Sequence, residues 1–75
     1  MSGKQMGAVN EQTNPGEAIK IAMQREQAAH DFYSLCAGIV LDPGVKKLFE
    51  FLAAEETKHF DLLEREYNRF IASEN

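Results

Sequence analysis

Glu56 and His59 stand three residues apart in the run Ala53-Ala54-Glu55-Glu56-Thr57-Lys58-His59, so a helix would carry a carboxylate and an imidazole on one face. Both fall within a stripe of otherwise apolar residues, and Glu26 interrupts a second such stripe in the same way. A carboxylate set into a packed seam is costly unless it is paired or binds a metal. Two glutamates and one histidine offer oxygen and nitrogen donors without a thiolate, a set suited to iron or manganese better than to structural zinc. Doubled by a two-fold axis, they would become four carboxylates and two imidazoles, enough to bridge two divalent cations and offset their charge. Taken alone, Glu-x-x-His is a common fragment of a charged helix surface, and the ion pairs available to Glu55 and Lys58 suit that plainer reading.

The elements that would position these residues are two helices. Asn14-Pro15-Gly16-Glu17 is a helix start, with a capping side chain, a proline for the first turn and a glutamate three residues after the cap. From there Ile19, Ala22, Glu26, Ala29, Tyr33, Cys36 and Val40 recur at spacings of three and four, with a second stripe of Ile21, Ala28, Phe32, Leu35 and Ile39 beside them. Asp42-Pro43-Gly44 breaks the pattern and restarts it. The second seam then holds Val45, Phe49, Leu52, Glu56, His59, Leu63 and Phe70, with Glu66 out of character and Tyr67 placed to rotate in for it. The expected layout is a flexible arm over residues 1–13, then a hairpin over 14–75 with helices at about 15–41 and 45–72 and a turn at about 42–44. Glu26 lies as far before the Asp42-Pro43 step as His59 lies after it, so an antiparallel hairpin brings the polar trio to one level.

The fold class is therefore all-α, an antiparallel two-helix hairpin. Such a hairpin has more apolar faces than it can hide, so two copies are expected to pair as a four-helix bundle. Tyr33, two turns beyond Glu26, is a candidate to hydrogen-bond a ligand carboxylate and equally a candidate core ring. His30 is expected to snorkel at the edge of the seam, and Cys36 to be a small core residue. The formal charge of −4 gives no basic face for nucleic acid or an anionic membrane, and the lone cysteine excludes an internal disulfide. No apolar run is long enough to span a bilayer, and a cytoplasmic protein is expected.

Glu17-Ala18-Ile19-Lys20-Ile21-Ala22, Glu26 with Phe32-Tyr33, Asp42-Pro43 through Leu48-Phe49, and Leu52 through His59 together resemble the rubrerythrin-type branch of the ferritin-like proteins. The resemblance covers roughly residues 17 to 70. It implies that Glu26, Glu56 and His59 are metal ligands, that two Fe ions per dimer are the cofactor (Mn or Zn being the alternatives), and that the activity is that of a ferroxidase or a peroxide reductase. Such proteins usually carry four helices with two Glu and two Glu-x-x-His sets, whereas these residues supply one of each, a layout similar to the two-helix subunits of encapsulated ferritins. The resemblance thus implies a homodimer or larger homo-oligomer. Rubredoxin-like cysteine pairs are missing, which implies a separate electron donor. The competing expectations are a non-enzymatic helical interaction module and a bundle holding Zn or Mn without redox turnover.

Overall fold

The computed structural model describes residues 9–74, so residues 1–8 of the expected arm lie outside the described residues. Two helices and no strand are present among them: α1, Pro15–Ile39, and α2, Pro43–Glu74. Asn14 opens α1 as expected, its Oδ1 accepting the Glu17 N–H at 3.0 Å, with Pro15 at the first helical position. Before it, Asn10 and Thr13 close a small turn in which the Thr13 N–H donates to the Asn10 carbonyl at 3.0 Å.

The connection sits earlier in the chain than the sequence suggests. α1 ends at Ile39, two residues short of the expected 41, and α2 begins at Pro43 rather than about 45. Val40 is already extended, although its N–H still donates to the Cys36 carbonyl at 3.0 Å. Proline at 43 disfavours helical backbone at Asp42, so that residue serves instead as the cap of α2, its Oδ1 accepting the Val45 N–H at 2.9 Å. The Lys46 ammonium then reaches back and donates to the Ala37 carbonyl at 2.7 Å, satisfying a carbonyl that the end of α1 leaves without a helical partner.

The helices return antiparallel, and the Tyr33 and Phe49 rings stack with centroids 6.1 Å apart. The α1 side of the seam follows the expected residues. On α2, Phe49, Leu52, Glu56, Leu63 and Phe70 hold the expected seam, and Tyr67 takes the place of the exposed Glu66. Val45 and His59, however, are exposed, and the seam turns locally to take in Ala53 and Phe60. Burying two aromatic rings in place of a histidine and a glutamate decides that rotation, since each ring removes far more apolar surface from water. Glu66 is left on the surface, where a hydrogen bond from Arg69 holds its carboxyl below the usual range.

The result is a single layer of helix 12 Å thick and 49 Å long, with a radius of gyration of 15.3 Å. A compact globule of this chain length would have about 11 Å. Among the described residues only Ala37 and Ala53 form a buried apolar core, while Phe32, Leu35, Ile39, Leu48, Phe51 and Leu62 each leave more than half of their surface exposed. At about 100° per residue, Phe32, Leu35 and Ile39 on α1 and Leu48, Phe51 and Leu62 on α2 lie back from their seams in the same sense. In an antiparallel pair of right-handed helices that puts both stripes on one broad face. No described helix is long and apolar enough to cross a membrane.

Two sets of substitutions check this account by urea unfolding at fixed protein concentration. Asp42→Ala removes the α2 cap and is expected to cost about 1 kcal/mol. A Cβ at Gly16 would lie 2.9 Å from the Phe70 ring, whereas one at Gly38 would meet nothing within 4 Å. Gly16→Ala should therefore destabilise by about 1 kcal/mol through overpacking, and Gly38→Ala should stabilise by about 0.5 kcal/mol through helix propensity. Equal effects of the two alanines would contradict the close approach of Phe70.

Candidate metal centre

The register set by Tyr33 and Phe49 carries directly to the carboxylates. Seven residues back along α1 from Tyr33 is Glu26, and seven forward along α2 from Phe49 is Glu56, so the two acids face each other two turns from the ring stack. The early connection thus pairs Glu26 with Glu56 rather than with His59, which stands about one turn further on. His59 still reaches the pair: its Nδ1 is 3.4 Å from Glu26 Oε1 and 3.6 Å from Glu56 Oε1. One ligand atom from each of the three residues lies within 4.8 Å of the other two.

That arrangement meets a chemical test for a cation site. Donors held about 2.1 Å from one metal ion stand about 3.0–3.4 Å apart when they are neighbours in an octahedral or tetrahedral shell. The His59 nitrogen is at nearly that spacing from both carboxylate oxygens, so small side-chain movements suffice. The three residues could hold a divalent cation, with Glu26 and Glu56 offering charge and oxygen and His59 offering Nδ1. The Glu56 and Glu26 side chains are 16% and 27% exposed, against 54% for His59, so the acids are sheltered in the seam and the imidazole stands at its open edge. That edge is on the same side as the exposed apolar stripes, because His59 and Leu62 both lie back from Glu56 around the helix.

On the other flank of the acids is a cavity of about 80 Å³, bounded by Glu26 and Glu56 together with Gln27, His30, Thr57 and Phe60. His30 therefore comes closer to the acids than its expected snorkelling position suggests, while Gln27 and Thr57 carry no sequence signal that sets them apart from any polar helix residue. Asp31 holds the rim, accepting a hydrogen bond from Gln27 Nε2 at 3.0 Å and lying 3.3 Å from His30 Nδ1. Thr57 Oγ1 donates to the Ala53 carbonyl at 3.4 Å. Tyr33 is two turns from the acids with its ring against Phe32 and Phe49, and Glu55 is paired on the surface with Lys58 at 3.0 Å. Cys36 is a half-buried free thiol.

The family model described as Rubrerythrin matches residues 5–67, which takes in the whole of α1, the connection and the three converging residues Glu26, Glu56 and His59. No curated protein and no solved structure matches the chain. The family model spans well over half of the sequence and includes the Glu26, Glu56 and His59 cluster, and the chain accordingly belongs to the rubrerythrin family.

Proposed function

We propose that this chain is half of a di-iron carboxylate protein, in which two hairpins pair through their apolar faces and bring two Glu26–Glu56–His59 clusters together. The observation that carries the reading is the convergence of the three ligand atoms within 4.8 Å, beside an apolar face that a single chain leaves bare. Four carboxylates would then balance the charge of two divalent ions. Iron bound there would supply the electron transfer to dioxygen or hydrogen peroxide, giving ferroxidase or peroxide-reducing activity. The chain's own contribution is positional. Glu26 and Glu56 would be held by the seam on either side of the ion, and His59 would offer Nδ1 to the same ion from the edge on which the second copy sits. The covered face excludes water and competing ligands. Iron handling or defence against peroxide is the role that follows, with electrons delivered by a separate donor.

A second copy suits the bare face because the face is apolar at both helices and has its metal-binding edge at mid-length, where a two-fold axis would superpose like on like. Aerobic Fe(II) titration of the purified chain should saturate near one iron per chain, and Glu56→Ala or His59→Ala should abolish the tight phase. Saturation at another ratio, or wild-type binding by both variants, would refute the shared site. Elemental analysis of protein from iron-replete cells separates iron from Mn or Zn occupancy. Phe51→Glu, which puts a charge on the apolar face, should convert the dimer to monomer in sedimentation equilibrium and weaken iron binding at least about tenfold, a change worth about 1.4 kcal/mol. A monomeric wild type would leave the interaction-module reading in its place.

A further inference from the structure

The pairing proposed above closes the flank of the cluster on which His59 stands, and the opposite flank then becomes the approach to its carboxylates. Thr57 and Phe60 lie forward of Glu56 around α2, and Gln27 and His30 lie forward of Glu26 around α1. Their side chains line the half-open cavity of about 80 Å³ that touches both acids and leaves out His59. Outside it runs a shallow groove that shares Gln27 and Phe60 and continues along Met23, Gln24 and Lys20, so the cavity is continuous with the outer surface of the hairpin.

We infer that this cavity is the mouth through which a divalent cation reaches Glu26 and Glu56. Its dimensions and lining argue for a small charged traveller. The space is small beside the roughly six waters of a hydrated divalent cation, at about 30 Å³ per water, so a cation that seats against the acids exchanges part of its hydration shell for the lining groups. Replacement contacts line the passage. Thr57 Oγ1 commits its proton to the Ala53 carbonyl, which leaves the oxygen lone pairs for a cation, and Gln27 and His30 add an amide oxygen and an imidazole. Asp31 tethers those two residues from outside and adds a carboxylate at the rim. Phe60 forms the apolar wall. The potential inside falls toward the two seam glutamates, so a cation is drawn inward as it sheds water.

This inference rests on the metal-binding reading of Glu26, Glu56 and His59, and the test separates the two. Co²⁺ serves as the probe, followed by stopped-flow visible absorbance on the full chain, with helix content checked by circular dichroism. Thr57→Phe fills the cavity from α2 and Gln27→Trp closes it from the exposed rim of α1, so one folded variant suffices. Each should slow association and dissociation together by about tenfold, a barrier of about 1.4 kcal/mol, with stoichiometry and affinity unchanged. Unaltered rates in a folded variant would overturn the mouth. So would an affinity loss at unchanged association rate, which marks a group touching the bound ion. Absence of Co²⁺ binding by the wild type, or binding that survives Glu56→Ala, would overturn the reading of the cluster and this inference with it.

Discussion

The contact between the Tyr33 and Phe49 rings fixes how far α1 and α2 slide past each other, and the placement of every chemical group follows from it. Antiparallel helices joined by three residues retain freedom to slip by a turn; a large ring stack with a definite partner removes it. Two turns away, where the side chains again point into the seam, the same register sets Glu26 against Glu56. Small residues keep the surrounding space open, with Ala22 and Ala29 on the seam beside Glu26 and Ala53 buried one turn before Glu56. Larger side chains there would fill the gap in which a cation could sit.

A second choice, the rotation of α2 about its own axis, divides the cluster between two environments. Burying Phe60 and Tyr67 pulls the seam one position past His59 and Glu66. Glu66 is turned into solvent and satisfied by Arg69, a surface pair of small energetic consequence. His59 stops halfway, with Nδ1 on the acids and more than half of its side chain outside. A site made wholly inside the seam would need nothing from a second chain. Here the acids lie in the hairpin and the imidazole at the margin of a bare apolar face, the feature on which the proposal of a shared site is built.

Much of this was legible in the sequence because periodicity and capping chemistry are local. The Asn14 start, the Asp42-Pro43 break and the seam of α1 are each dictated by a few neighbouring residues. The Glu26, Glu56 and His59 grouping was also readable, since polar residues set into apolar stripes at matching distances from a turn stand out. What the pattern could not settle was the competition between nearly equivalent seams on α2. Val45, Phe49 and Leu63 are compatible with either rotation, and only packing of Phe60 and Tyr67 against α1 chooses between them. The two-residue offset of the connection had the same origin, because both Leu41 and Val45 suit a helix by type while Pro43 and the Asp42 cap decide where one begins. Gln27 and Thr57 escaped notice for a plainer reason: a cavity is a property of the space between two helices, and neither residue announces it alone.

On the proposed arrangement, association and metal binding are two readings of one free energy. A hairpin in which two alanines are the only buried apolar residues among those described gains little from its own interior, so covering the broad apolar face is the larger part of what can stabilise it. Pairing also completes the ligand set, and a cation held by both copies must strengthen their association by the same factor by which association strengthens its binding. Loss of metal would then loosen the dimer, and dilution would release metal, even with every ligand residue intact. On that arrangement the three residues of one chain would form a weak half-site that becomes strong only on pairing, because one histidine and two glutamates leave the rest of an iron coordination shell to be supplied from elsewhere.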